Sequence, residues 1–349
     1  MKQYKKVMGI ILAGVLALSM AGCGDSKKTD GNAETKAEET AGGQTAASGE
    51  GEEYAVIMSV NQLEFFDALK AGVNDAAHSL GAKWYYAGPQ DLAPDKVAEA
   101  IDQAVAKKVT GIVVHGQFQE TGAAIDNAIA AGVPVICVNT DIESNRLSFL
   151  GCDPYNTGVE MAKQMAKEIG DKGRIIISNF ISGGQPSAIS NMEGCRDELK
   201  KNHPDIEIVA EVDDKADETT AATAVGAALQ ANPDVVGIIG MQAPSAVGAA
   251  TAVREAGIDG IKIVGRDRDS ATLELIESGE VAASFAQNSY VEGYIAVKWL
   301  HDYVNGNLKV TQNYLDAGIN PLPPVVDSGS IIITKDNVEQ FKEKYTYDK

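Results

Sequence analysis

The sequence predicts an α/β protein built from two similar doubly wound parallel-sheet domains. Strand and helix signals alternate along the body of the chain, and their order is written twice, about 122 to 128 residues apart. The body, 54–349, has about 296 residues, enough for one large domain or two ordinary ones.

A leader precedes that body. Lys2, Lys5 and Lys6 form a positive start, and Val7 to Leu18 is an apolar run too short to span a bilayer comfortably. Small residues then lead to Cys23 in Leu18-Ser19-Met20-Ala21-Gly22-Cys23, an ending that resembles a bacterial lipoprotein signal. The resemblance implies removal of residues 1–22 and lipidation of Cys23. Two or more acyl chains on one residue make a stable anchor, whereas a single chain binds reversibly. Residues 23–53 are then expected to form a disordered tether. Gly24 to Glu52 is nearly all small or polar and cannot bury enough apolar surface to offset its ordering entropy.

Strand signals follow at Tyr54–Val60, Gly111–His115, Val133–Val138, Arg174–Ser178, Ile206–Val212, Val235–Gly240 and Ile261–Gly265, with Trp84 opening a further strand. Between them lie alanine-rich amphipathic stretches at Phe66–Leu80, Ala93–Lys107, Thr121–Ala131, Thr157–Ile169, Ser190–Lys201, Thr219–Ala231 and Ser245–Ala256. Alternation on this scale means parallel sheets with helices on both faces. The duplication is visible in three ordered echoes. Val109–Gln117 matches Val235–Gln242, and Ala131-Gly132-Val133 running to Asn139 matches Ala256-Gly257-Ile258 running to Asp267. Leu69–Val73 matches Asn191–Cys195.

Composition narrows the function. The chain carries 30 Lys and Arg against 49 Asp and Glu, a net charge of −19, and loss of the leader makes it −22. Nucleic acid and anionic lipid are excluded as partners, since both are bound through basic contacts. Cys137, Cys152 and Cys195 match no zinc spacing and read as packing residues, with a Cys137–Cys152 bridge left open. The four histidines are isolated, and no nucleophile–base pattern or phosphate loop appears, so neither an enzyme nor a cofactor is expected.

Open parallel sheets bind ligands beyond the carboxyl ends of their strands. The residues there are rich in amide, carboxylate and guanidinium groups suited to hydroxyls, with paired aromatics suited to a sugar face. The candidates are Asn61, Phe65, Phe66, Gln117, Asn139, Asp141, Arg146, Asn191, Gln242, Arg266, Asp267 and Gln287. One of Phe65 and Phe66 is expected to face the core and the other the cleft. Arg146 and Arg266 have ion pairing with Asp141 or Asp269 as an alternative to ligand contact. For Asp267 the alternative is capping of the helix around Ala271–Ser278, though Asp269 and Ser270 are better placed for it.

An ordered set of segments resembles the type I periplasmic-binding-protein family, in particular ribose-, galactose- and xylose-type substrate-binding proteins of ABC transporters. It comprises Asn61–Phe66, Gly132–Val135 leading to Asn139-Thr140-Asp141, Gly151–Gly158, Val264–Asp267, Ala286–Asn288, Asp327–Gly329 and Thr334–Asn337. The resemblance covers 54–349 and implies two hinged lobes with an interdomain cleft, crossed three times by the chain. The expected lobes are 54–153 plus 288–316 and 154–287 plus 317–349. It also implies capture of a small carbohydrate or polyol by a monomer tied to the extracytoplasmic face of the cell membrane, and delivery to a permease. The alternative function on the same fold is a sensory receptor for a membrane kinase or quorum-sensing system. The chain departs from the sugar-binding pattern at Asn139-Thr140-Asp141, at Gln242-Ala243 and at Arg266. These departures favour a polyol, furanose or more polar carbohydrate over a plain pyranose.

Overall fold

Residues 48–347 are described by a computed structural model of the chain. The leader, Cys23 and the tether up to residue 47 lie outside them. In chain order come β1 (Glu53–Ile57), α1 (Asp67–Leu80), β2 (Lys83–Ala87), α2 (Pro94–Lys107), β3 (Gly111–His115), α3 (Gly122–Ala130), β4 (Val135–Val138) and β5 (Ser148–Gly151). Next are α4 (Pro154–Ile169), β6 (Gly173–Asn179), α5 (Pro186–Asn202), β7 (Ile206–Asp213), α6 (Glu218–Ala231), β8 (Val235–Gly240), α7 (Ala243–Ala256) and β9 (Lys262–Arg266). The chain continues with α8 (Ser270–Ser278), β10 (Ala283–Gln287), α9 (Ser289–Val304), β11 (Val325–Asp327) and β12 (Ser330–Thr334).

The strands form two six-stranded sheets with one plan. The first runs β2-β1-β3-β4-β5-β11 and the second β7-β6-β8-β9-β10-β12. All pairings are parallel except β10 with β12. Side chains alternate across each sheet, so both faces can be buried. On β1, Tyr54 and Val56 enter the cluster shared with α1 and α9, while Ala55 and Ile57 join the one under α2 and α3. In the second sheet Ile176 and Ile238 face α6 and α7, and Ile175, Ile177 and Ile239 face α4 and α5. Two lobes result, each a sheet between two apolar layers.

The lobes exchange helices. β5 belongs to the first sheet, yet the α4 that follows packs on α5, β8 and β9 of the second. β10 belongs to the second sheet, yet α9 packs on α1, β3 and β4 of the first. The chain therefore crosses at Cys152-Asp153 and at Asn288. It crosses a third time at Ser328-Gly329, between β11 and β12. That last position corrects the expected one at residue 316, because 317–327 return to the first lobe. There β11 pairs with β5, and Ser148 Oγ donates to Pro323 O at 2.7 Å.

Each lobe has a pair of helices in backbone contact at an equivalent place. A methyl group on Gly72 of α1 would strike Tyr290 O of α9, and one on Gly293 would strike Leu69 O. In the second lobe Gly158 of α4 faces Asn191 O, and Gly194 of α5 faces Tyr155 O. The Leu69–Val73 and Asn191–Cys195 echo is thus a repeated helix–helix contact. Proline-started α4 is fixed at its head by Asp153, which accepts from Asn156 N at 2.8 Å.

Two further expectations change. Gly49–Glu53, expected in the tether, belong to the first lobe: Gly49 N donates to Leu80 O, and Glu52 accepts from Tyr54, His301 and Asn305. These bonds tie the end of the expected tether into the first lobe. Cys137, Cys152 and Cys195 are all free and buried, so no Cys137–Cys152 bridge exists. Burial pushes the Cys137 and Cys195 thiols up to about 12, consistent with inert packing groups. Among the described residues no helix is long and apolar enough to cross a membrane.

Candidate functional site

A cavity of about 550 Å³ opens between the lobes, within the usual range for a small-molecule site. The first lobe contributes Glu64, Phe65 and Asp67, and Ser289 stands at the second crossing. The second lobe contributes Asp267, Arg268, Asp269 and the head of α8, with Gln287 at the end of β10. The C-terminal residues Phe341–Tyr345 form the remaining wall.

Asn139 and Asp267 occupy equivalent places in the two halves. Each follows the fourth strand of its lobe's duplicated unit, β4 or β9, in the left-handed conformation, at φ 67° and 68°. Each donates its backbone N–H to the neighbouring strand, Asn139 to Leu150 O at 2.8 Å and Asp267 to Phe285 O at 3.0 Å. Left-handed backbone is tolerated best by Gly, Asn and Asp, which accounts for these residue types at the turn.

Asp267 is the residue with capacity to spare. It opens on the cavity, but its Oδ1 is shut off from solvent and has no hydrogen-bond partner among the described residues. Burial raises its pKa above the ordinary carboxylate value, opposed in part by the nearby Arg266 charge. Helix capping falls to Asp269, which accepts from Thr272 N at 3.0 Å and from Thr272 Oγ1 at 2.8 Å. Several other acidic groups around the cavity are engaged. Asp67 accepts from Lys70 and Tyr347, and Glu277 pairs with Lys342 at 2.6 Å. A wall richer in carboxylates than in basic groups, with a buried unpartnered oxygen at Asp267, suits hydroxyl donors and disfavours anions.

Gln287 lines the cavity, and its Oε1 accepts from Asn139 Nδ2 at 2.6 Å, so Asn139 reaches the site through it. Of the two aromatics, Phe65 is 41% exposed and lines the cavity, while Phe66 is 2% exposed and packs edge-on against His115. Phe66 is therefore a core residue rather than a ligand wall. Asp141 and Arg146 are also corrected. Arg146 Nε and Nη2 donate to the two Asp141 oxygens and Nη1 to Pro324 O at 3.0 Å. The pair fastens the β4–β5 loop to the returning segment, which uses the capacity of both side chains.

The remaining candidates stand away from the cavity wall. Asn61 is half-buried, its N–H bonded to Pro89 O, and Gln117 is exposed. Gln242 caps α7 through Ser245 and donates to Asn179 Oδ1 at 3.0 Å. Asn191 is buried between α4 and α5, donating to Pro154 O at 3.1 Å beside the first crossing, with Oδ1 unpartnered. Arg266 acts on the site through its charge beside Asp267.

Sequence reasoning singled out neither Glu64 nor Arg268, which stand beside the candidates Phe65 and Asp267, and it missed Ser289 and the tail. A spacing of Phe341, Tyr345 and Tyr347 in a polar terminus is the signal that was available for the last. His115, buried and pushed down to about 4, is held neutral between Ser59 and Thr140 beneath the strand ends. Among the described residues no group of three His, Cys, Asp or Glu is placed to hold a metal ion.

Comparison with known proteins agrees with this architecture. Residues 54–308 match the family model described as periplasmic binding protein domain. A xylitol-binding protein of Mycolicibacterium smegmatis is 25% identical over 292 residues, covering 82% of this chain and 77% of that protein. A ribose import binding protein of Bacillus subtilis is 23% identical, covering 74% and 84%. Among solved structures, a sugar-binding protein of a sugar ABC transporter from Bacillus halodurans has 27% identity and a TM-score of 0.78. It covers 83% of this chain and 99% of its own. An arabinose-binding protein from Geobacillus stearothermophilus has 26% identity and a TM-score of 0.77, covering 83% and 99%. With the duplicated sheets, the three crossings and the interlobe cavity in place, the chain belongs to the type I periplasmic-binding-protein family, in the sugar-binding group of these relatives.

Proposed function

We propose that this chain is the extracytoplasmic, lipid-anchored binding protein of an ABC importer, taking a neutral monosaccharide or polyol between its lobes. The observation that carries the reading is the unpartnered, solvent-shielded Oδ1 of Asp267 on the wall of an interlobe cavity. A buried carboxylate oxygen with no partner is costly, and a pair of ligand hydroxyls is the group that would satisfy it. Phe65 offers an apolar face for the carbon side of a sugar, and Gln287 and Ser289 offer polar groups at the crossing. Relatives that are named for ribose, xylitol and arabinose support a small polyhydroxy ligand.

Ligand touching both lobes favours the closed arrangement, and a permease distinguishes closed from open by shape. Lipidation at Cys23 would keep the receptor beside that permease. The test is a thermal-shift screen over ribose, arabinose, xylose, allose, galactose and xylitol. A ligand at 100 times its Kd adds about 2.7 kcal/mol, a rise of roughly 5 °C for a protein of this size. No shift with any of them, together with tight binding of an amino acid or a carboxylic acid, would reject the reading.

A further inference from the structure

Beyond the three crossings the chain touches both lobes once more, at its C-terminal end. After β12 and a short turn at Val338–Phe341, the tail runs from the second lobe across the mouth of the cavity to the first. Arg268 of the second lobe lies over the rings of Phe341 and Tyr345, at 5.4 and 5.0 Å from their centroids. It also donates to Phe341 O and to the Tyr345 hydroxyl, both at 3.2 Å. The Tyr345 ring then stacks on Tyr290 of α9, at 6.3 Å and 18°. Tyr290 stacks in turn on Tyr294 and donates to Asp75 of α1 at 2.6 Å, so both tyrosines are fixed to the first lobe.

Two residues on, Tyr347 reaches further into the first lobe. Its hydroxyl donates to Asp67 Oδ1 at 2.8 Å, its ring lies 6.3 Å from that of Trp84, and Lys70 Nζ sits 5.6 Å from its centroid. Burial and the bond to Asp67 push the Tyr347 hydroxyl up to about 12. Tyr345 is thus held between an arginine of one lobe and a tyrosine of the other, and Tyr347 is seated in the first lobe alone. A rotation of the lobes about the crossings would have to pull one of these contacts apart, because only Thr346 separates them.

We propose that Phe341–Tyr347 is an aromatic clasp, a fourth connection that restrains the lobes from opening and walls the cavity on its tail side. The clasp rests on the two-lobed hinge and not on the identity of the ligand, so its test needs no sugar. Nitroxide labels are placed at Glu99→Cys on α2 and Lys201→Cys on α5, both exposed. The full chain carries Cys23→Ala, leaving the buried Cys137, Cys152 and Cys195 as the other thiols. Pulsed dipolar spectroscopy in ligand-free buffer then compares this protein with a chain ending at Lys342, with Tyr345→Ala/Tyr347→Ala and with Arg268→Gln.

The expected result is a shift of the interlobe distance to longer values and a broader distribution in all three, largest for the truncation. Arg268→Gln guards against a trivial effect of shortening, since it keeps the whole tail and removes only the second lobe's hold on it. Distance distributions that superimpose on that of the unaltered tail would overturn the proposal. A lower melting temperature with unchanged distances would overturn it too, since it would show a tail that only stabilises the lobe it touches.

Discussion

Replacing Asp267 tests the site most directly, because removal of its carboxylate separates ligand contact from structural roles. In Asp267→Ala a ligand loses its hydrogen bonds to a charged acceptor, each worth about 1.5–3 kcal/mol, or a 10- to 200-fold rise in Kd. Alanine at φ 68° also costs about 1 kcal/mol of backbone strain. Asp267→Asn avoids that cost, since asparagine already occupies the equivalent left-handed position at residue 139. It exchanges the charged acceptor for a neutral one, so its Kd should rise about 10-fold. Its ligand-free melting temperature should stay level or rise, because a buried charge with an orphaned oxygen is removed. Hydroxyl donors favour the ionised carboxylate, whose pKa burial has raised. Binding by the unaltered protein should therefore weaken as pH falls through that pKa, and the dependence should vanish in Asp267→Asn. Calorimetric titration with the sugar giving the largest thermal shift, alongside a melt of the free protein, measures both quantities. Normal affinity with a lowered melting temperature would refute the reasoning and leave Asp267 a structural residue.

Gly72→Ala and Gly158→Ala should each destabilise the protein by about 1–3 kcal/mol through overpacking, read from urea unfolding, because the added methyl meets backbone carbonyls that cannot step aside. Glu292, pushed up to about 7 from an ordinary 4.5, keeps a proton when folded that it loses when unfolded, so stability falls as pH rises between those values. His115, pushed down to about 4 from 6.5, does the opposite, its stability contribution growing as pH rises from 4 to 6.5. Glu292→Gln should therefore uncover a gain of about 3 kcal/mol between pH 4 and 6.5 that the unaltered protein largely cancels, and a flat profile would refute this pairing. Cys23→Ala should release the protein into the medium or leave it unprocessed; fractionation that finds it as firmly membrane-held as before would argue against lipidation there.

The fold was legible because its signals are periodic. The unbroken apolar run Tyr54–Ile57 of β1 reflects burial on both sheet faces, the repeated Ala-Gly before β4 and β9 ends a helix on a glycine at positive φ, and each domain shows the pattern independently. The third crossing was not legible, since 305–324 carries no strong periodicity and the three-residue β11 gives no strand signal of its own. In the site, Asp267 and Gln287 could be found by position, at the ends of strands and at a crossing. Asp141 and Phe66 could not be sorted from their neighbours by position alone. Whether Asp141 faces a ligand or Arg146 depends on a pairing five residues away, and which of Phe65 and Phe66 turns inward depends on the short turn that precedes α1. The tail escaped because its partners, Arg268 and Tyr290, are distant in sequence.

Three buried polar atoms lack partners among the described residues, and their positions are not scattered. Asp267 Oδ1 is on the cavity wall, Asn191 Oδ1 belongs to a side chain bonded to Pro154 at the first crossing, and Glu292 Oε2 lies at the other two. Glu292 Oε1 accepts from Ser328 Oγ at 2.8 Å, and that serine sits 3.6 Å from Cys152 Sγ, so residues of all three crossings meet around one glutamate. Buried polar groups deeper in the lobes do find partners: Ser178 and Ser245 both donate to the buried carboxylate of Asp214, and His115 bonds Ser59 and Thr140. Unsatisfied polar groups are tolerated where an alternative arrangement or a ligand supplies the missing bond. Their confinement to the cavity and the crossings marks the joints between the lobes as the places where a second arrangement or a ligand would satisfy them, which is where a hinged receptor would move.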